Sequence, residues 1–248
     1  MAVKPVVRRL KPRRIHEVVA SLGREIVQGV TPVGGSVAPE PELEQRFEVS
    51  RGVVREAVKI LSAKGLIEVR PRHGTRVLSV ENWSLLDRDV LGWLVERPAS
   101  DPDLLLAIQE VRSIIEPEAA ALAAERGSEG DLQTIDAALA AMELSHDYAS
   151  ATAADKAFHL AILHATHNPV LQGFSAAINT ILGAVFFVAV GRSGWFEENL
   201  PNHATAAKAI RERDTAGARA AMKQVLAFTG SKLEERRGAG PAPGSLQG

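Results

Sequence analysis

Residues 50–78 read SRGVVREAVKILSAKGLIEVRPRHGTRVL, and three local patterns meet in that stretch. Ser50 is a good N-cap, because its hydroxyl can accept from the free N–H groups of the turn that follows. From Arg51 to Lys64, Val54, Val58 and Leu61 recur at helical spacing, and Gly65 supplies a stop. Leu66 to Arg70 then alternates as a strand does. Pro71-Arg72-His73-Gly74 is turn chemistry, and Thr75-Arg76-Val77-Leu78 returns as a second strand. Upstream, Ile15, Val18, Val19, Leu22, Ile26 and Val27 share one face of a helix from Ile15 to Gly29. Residues 31–41 (TPVGGSVAPEP) form a loop. A short helix from Pro41 to Glu48 places Leu43 and Phe47 on its buried face. Three helices followed by a hairpin make a winged helix-turn-helix.

The basic side chains fall where such a module meets DNA. Arg51 and Arg55 lie one turn apart at the start of the second helix of the pair, the end that reaches base edges. Ser50 and Gly52 flank Arg51, while Arg72, His73, Gly74 and Arg76 decorate the hairpin. The competing reading is a set of solvated surface groups, which His73 fits as well as it fits a DNA contact. Charge distribution favours DNA. Residues 1–80 carry 15 Lys and Arg against 8 Asp and Glu, a net +7. The rest carries 14 against 22, a net −8. The N-terminal third therefore suits a polyanion and the remainder does not.

Composition narrows the classes further. At 248 residues, 46% hydrophobic and 24% charged, the chain fits one large or two modest globular domains. Aromatics are only 4%, so the core must come from Leu, Val, Ile and Ala, which favours helices. The absence of cysteine excludes disulfide scaffolds, Cys-ligated zinc fingers, iron–sulfur sites and thiol catalysis. The longest apolar run, Ile178 to Val190, spans 13 residues and includes Asn179 and Thr180, whereas a membrane span needs about 20. No apolar signal core follows Arg8 and Arg9, so a cytoplasmic protein without a membrane partner is expected.

Trp83, Leu86, Val90 and Leu94 repeat at helical spacing, predicting a linker helix over 81–98 between a DNA-binding domain (1–80) and a second domain (99–237). The second domain reads as about six helices. Its breaks fall near Gly127–Gly130, Ser145–Ala149, Asn168-Pro169, Gly191–Asn199 and Asp214–Gly217. Residues 238–248 (GAGPAPGSLQG) read as a disordered tail. Asp155 and His159 sit at i and i+4 of the helix from Tyr148 to His167, so they project from one face and could share a cation. The bland alternative is a helix-surface hydrogen bond. His203 lies on a later helix, after Pro201. His164 and His167 suit the negative end of their own helix, and His16 and His146 suit solvent.

The ordered series Val37-Ala38-Pro39-Glu40-Pro41-Glu42-Leu43, Val49-Ser50-Arg51, Val54-Arg55-Glu56-Ala57, Gly65-Leu66-Ile67 and Gly74-Thr75-Arg76-Val77 resembles the DNA-binding domain of GntR-type bacterial transcription regulators. Ala38 replaces a usual proline. Gly52-Val53 replaces a common Thr-Pro, removing a side chain that often touches phosphate or base. Glu110-Val111-Arg112, Ile115-Glu116-Pro117, Asp155 with His159, Asn168-Pro169-Val170-Leu171 and His203 are similar to the FCD effector domain of the FadR branch. The resemblance implies a mostly α protein, with an N-terminal winged helix-turn-helix and a C-terminal all-helical FCD-type bundle. It also implies a divalent metal, zinc or nickel, held by Asp155, His159 and His203. Val225 stands where that family places a last histidine, so the site is one ligand short.

The stretch Trp83 to Trp93, the Ile115-to-Ala121 segment and the missing histidine are similar to the galactonate-responsive regulators of this branch. That likeness implies an effector pocket lined by Arg112, Asp155, His159, Trp195 and His203. Arg112 would hold a carboxylate, and Trp195 would cover a sugar face or else plug a loop. The alternative for Arg112 is an internal salt bridge with Glu116, four residues on. The expectation is a homodimeric regulator, a repressor of sugar-acid catabolism, that binds a double-stranded operator and is released by a small carboxylate such as galactonate. Lactate or a hexuronate are the alternatives. No nucleophile or base stands beside the Asp–His–His trio, so a metal-dependent enzyme is the less favoured reading and no catalytic residues are assigned.

Overall fold

The computed structural model describes residues 12–96, 102–189 and 195–238. The chain divides into two compact units between Leu94 and Val95.

In the first unit, α1 (Pro12–Val27) buries Val18, Val19, Leu22, Ile26 and Val27. That face packs on α3 (Arg51–Ala63), whose own buried stripe is Val53, Val54, Ala57, Val58 and Leu61. The short α2 (Glu40–Phe47) adds Leu43 and carries Pro41 in its first turn, where the missing N–H costs nothing. Strands β1 (Ile67–Arg70) and β2 (Gly74–Val77) pair antiparallel with Ile67 opposite Val77 and Arg70 opposite Gly74. This is the winged helix-turn-helix that the spacing predicts. One detail differs. Ser50 occupies the N-cap of α3 in extended conformation, but its exposed hydroxyl makes no capping bond. The turn is closed instead by the Ser50 carbonyl, which accepts from Val53 and Val54.

The residues after the hairpin pack onto the same unit. The indole of Trp83 donates to the carbonyl of Leu78 at 2.9 Å, and Lys64 reaches Asp87 and Asp89 at 2.6 and 2.8 Å. Gly65 takes φ +74°, and a Cβ there would lie 2.0 Å from the Asn82 carbonyl oxygen, so only glycine fits. Helix α4 (Arg88–Val95) begins later than the hydrophobic repeat suggests. The Asp87 carboxylate accepts from the N–H groups of Asp89 and Val90 and caps the first turn there. Trp93 of α4 lies against Gly23 of α1 so closely that a Cβ would meet its ring at 2.2 Å.

The regular elements of the second unit's described residues are all helices: α5 (Pro102–Arg126), α6 (Glu129–Glu143), α7 (Tyr148–Ala165), α8 (Pro169–Gly173), α9 (Ser175–Ala189), α10 (Trp195–Arg211) and α11 (Thr215–Gly238). Caps set several boundaries. Ser128 with Asp131, and Asp147 with Ser150, form reciprocal capping boxes, and Asn168 caps the turn opened by Pro169. Seven helices replace the six expected, because Phe174 separates the single-turn α8 from α9. The expected break over Gly191–Asn199 is shorter on its far side. α10 begins at Trp195 and carries Pro201 within it, so His203 lies inside a continuous helix rather than after a helix start. Ala119, Ala120, Ala123 and Ala124 of α5 are fully buried in a core shared with Ile135, Phe158, Ile162, Ile210, Met222 and Leu226. Of the expected tail, Gly238 closes α11 and residues 239–248 lie outside the described residues. Among the described residues, no helix is long and apolar enough to cross a membrane.

Candidate functional sites

On the first unit, Arg51 and Arg55 project from the first turns of α3 with side chains 71% and 61% exposed. They share one carboxylate: Glu40 of α2 lies 3.0 Å from Arg51 and 3.9 Å from Arg55. Gly52 between them is exposed. On the hairpin, Arg72 sits at φ +65° and Gly74 at φ +77°, so the tip turns sharply and holds Arg72 and His73 in solvent. Arg76 is partly committed, donating to the Gly34 carbonyl at 2.9 Å. The helix start and the hairpin are thus both cationic and open, the surface chemistry that phosphates select.

In the second unit α5, α7 and α10 converge on buried polar groups that an Ala- and Leu-rich core would otherwise exclude. α7 contributes Asp155 and His159, one turn apart, and α10 contributes His203. Asp155 Oδ1 lies 3.7 Å from His159 Nε2 and 3.4 Å from His203 Nε2. One ligand atom from each of the three residues falls within a 4.8 Å cluster. The Nδ1 of His203 faces the Asn199 carbonyl at 3.0 Å, a group that can only accept. That bond puts a proton on Nδ1 and turns Nε2 toward Asp155. Nε2 is buried with no hydrogen-bond partner among the described residues.

This donor set fits a metal. Zinc bonds of about 2.0–2.1 Å to nitrogen and oxygen put neighbouring tetrahedral ligands about 3.4 Å apart. The separations found here are close to that, and an orphaned buried imidazole nitrogen is otherwise costly. Val225 of α11 is buried and offers no side-chain donor, so the group offers three ligands among the described residues.

The structure also brings in residues that the spacing did not assign to this site. His159 Nδ1 lies 2.5 Å from Glu116 Oε2, although not in line for a hydrogen bond. Glu116 in turn takes Arg112 Nε at 2.6 Å, and Arg112 Nη1 reaches Gln109 Oε1 at 3.3 Å. Gln109 donates to the carbonyl of Leu226, and Asn199 donates to that of Val225. A polar chain therefore leaves α11, crosses α5, α7 and α10, and returns to the adjacent carbonyl of α11. Residues 109, 112 and 116 share a helical face, which was the available signal for Gln109 and Glu116. Arg112 has the internal partner that the sequence offered as its alternative. Burial pushes the Glu116 carboxyl up, but Arg112 and His159 outweigh it and hold it at about 2. Burial pushes His159 down, yet Glu116 and Asp155 outweigh it and raise the imidazole to about 9. Asp155, despite burial, is pulled well below the usual carboxylate range by the two histidines.

Trp195 opens α10, but its side chain lies outside the described residues. Exposed His167 pairs with Asp131 at 2.8 Å, while His16, His146 and His164 are exposed, so none joins the site. Asp214 caps α11 by accepting from Gly217 and is likewise remote in role.

Residues 14–77 match the model of the gntR family of bacterial regulatory proteins, and residues 107–228 match the FCD domain. The chain is 37% identical over 224 residues to the galactonate operon transcriptional repressor of Escherichia coli strain K12, spanning 90% of this chain and 97% of that protein. The chain belongs to the GntR family of bacterial regulatory proteins. This GntR–FCD regulator is also 35% identical over 166 residues to the glc operon transcriptional activator of the same strain, covering 64% of this chain and 63% of that one. A solved Listeria monocytogenes protein, described as Lar, which controls the agr system, shares the fold. It has a TM-score of 0.60 and 20% identity, over 95% of this chain and 99% of that one. The gntR module is a DNA-binding helix-turn-helix, and the FCD module takes a small-molecule effector. The relatives are transcription regulators rather than enzymes.

Proposed function

We propose that this regulator represses a sugar-acid catabolic operon and leaves its operator when an aldonate such as galactonate enters the FCD bundle. The observation that carries this reading is the buried Asp155–His159–His203 cluster with its orphaned His203 Nε2, beside Arg112 and Glu116. Similarity to a galactonate operon repressor over nearly the whole chain supports the effector class. In this reading residues 1–80 bind DNA, 81–98 form the linker, and 99–237 bind effector and dimerise. The protein works as a cytoplasmic homodimer. One winged helix makes few phosphate contacts, so two half-sites are needed for affinity and for operator symmetry. Ser50, Arg51, Gly52 and Arg55 meet the major groove, and Arg72, His73, Gly74 and Arg76 meet the backbone or the adjacent groove.

In the pocket Asp155, His159 and His203 would hold a divalent ion, zinc or nickel, which would supply fixed positive charge. That charge matters because Arg112 is already balanced by Glu116, and an unpaired buried carboxylate would be strongly disfavoured. In place of holding the ion, Asp155 and the histidines would bond sugar hydroxyls directly, and in either case Trp195 covers one face of the sugar chain. Effector must bind the released conformation more tightly than the operator-bound one to shift the balance between them.

A thermal-shift screen of sugar acids, lactate and hexuronates, each with and without zinc or nickel, tests the reading, because a ligand of the native state raises apparent stability. Galactonate is expected to raise the melting temperature and to dissociate the operator complex at similar concentrations. A response to lactate or a hexuronate alone would replace the effector named here.

A further inference from the structure

We propose that Glu116 is a positioning residue that holds the His159 ring with Nε2 turned toward Asp155 and His203. This rests on the reading of those three residues as a metal site. Three buried contacts support it. Glu116 Oε2 lies 2.5 Å from His159 Nδ1, Glu116 Oε1 lies 2.6 Å from Arg112 Nε, and Oε2 lies 3.5 Å from Arg112 Nη2. All three side chains are at most 3% exposed. Arg112 fixes the carboxylate from behind, and its other nitrogen is anchored on Gln109, which is itself tied to the Leu226 carbonyl. The carboxylate therefore has a set place, and the imidazole must orient to it.

An imidazole has two nitrogens, and the one that faces a carboxylate keeps its proton while the other serves as ligand. Glu116 thereby selects Nε2 of His159, as the Asn199 carbonyl selects Nε2 of His203. The two histidines are oriented by different helices, His159 by α5 and His203 by its own helix α10. With three protein ligands among the described residues, fixed ring orientation carries a larger share of the binding.

The experiment uses the full-length protein. Zinc affinity is measured by competition with a chelating dye for the wild type, Glu116→Gln and Arg112→Met. The imidazole nitrogens are followed by nitrogen-15 NMR, with His159 assigned by its loss in His159→Gln. A glutamine is neutral and has one carbonyl oxygen, so it cannot set one carboxylate oxygen against Arg112 Nε and the other against His159 Nδ1. Glu116→Gln is expected to weaken zinc ten- to a hundredfold, the usual consequence of losing an outer carboxylate. Arg112→Met loosens the anchor of the carboxylate but leaves Glu116 facing His159, so it is expected to weaken zinc clearly less than Glu116→Gln does. In the zinc-loaded wild type, His159 is expected to carry its proton on Nδ1. Zinc affinity in Glu116→Gln equal to wild type, equal losses in Glu116→Gln and Arg112→Met, or a His159 ligated through Nδ1 would each overturn the proposal and leave the metal reading standing. Absence of zinc uptake by the wild type would overturn both. The wild-type NMR arm decides the question even if a variant fails to fold.

Discussion

The side-chain amide of Asn199 donates to the carbonyl of Val225 across 3.2 Å, tying α10 to α11 one turn before His203. The same residue's carbonyl orients His203, so Asn199 links the His203 imidazole to Val225. Val225→His is therefore expected to tighten zinc at least tenfold by adding a fourth donor. Val225 is 1% exposed, so without metal the larger polar ring should cost about 1–3 kcal/mol. Melting curves with and without zinc check both effects: the metal-free variant should melt lower than the wild type, and zinc should raise it by more.

The protonation of His159 predicts a pH dependence. Its folded value, about 9, lies above the ordinary unfolded value of about 6.5. In the metal-free protein its contribution to stability is full below about pH 6.5 and is lost as pH rises through about 9. Glu116 behaves oppositely: its contribution is present above the ordinary carboxylate range and is lost as pH falls through about 2. Zinc must displace the His159 proton, so uptake near pH 7.5 should release about one proton. Calorimetry in two buffers of different ionisation enthalpy measures that proton. No difference between the buffers would mean that His159 is already neutral in the metal-free protein.

Arg51→Ala and Arg55→Ala should each weaken operator binding by about 1–3 kcal/mol if each arginine reads a guanine. Glu40 is the informative control, since it lies 3.0 Å from Arg51 and 3.9 Å from Arg55. Glu40→Gln removes a negative charge beside the phosphates and frees both guanidinium groups. Binding to random duplex should strengthen while preference for the operator narrows. Fluorescence anisotropy against operator and scrambled DNA, across a salt series, separates the two effects.

The winged helix was legible because local signals agreed with one another. Apolar spacing in α1 and α3, the glycine at position 65 and the turn at residues 71–74 all describe the same fold. The trio Asp155, His159 and His203 was legible as a pattern only in part. Two members are one turn apart, but His203 is brought in by the packing of α10, which no local rule predicts. Glu116 was visible only as a salt-bridge partner four residues from Arg112. Its contact with His159 depends on how α5 meets α7. Glycine at 191 and 194 and proline at 201 read as loop chemistry, whereas α10 begins at Trp195 and carries Pro201 inside it.

Arg112 separates a ligand anchor from a structural cation. Its side chain is 3% exposed and its Nε is bonded to Glu116, so Arg112→Ala strands a buried carboxylate whose remaining cation is His159. Breaking a buried pair from one side costs about 3–5 kcal/mol, so this variant should melt well below wild type whatever the role of Arg112. The paired substitution Arg112→Met with Glu116→Gln removes both charges and should recover much of that loss, since an apolar or neutral replacement of a buried ion pair is often close to neutral. Operator binding by the double variant should then be near normal. If Arg112 helps to hold the effector carboxylate, galactonate no longer releases this variant from DNA even with zinc present in excess. If the pair only supports the fold, release persists at a galactonate concentration set by the weakened metal. Measuring release as a function of zinc distinguishes the two: excess zinc restores the response of a variant that lost only metal affinity, and it leaves unresponsive one that lost its carboxylate anchor.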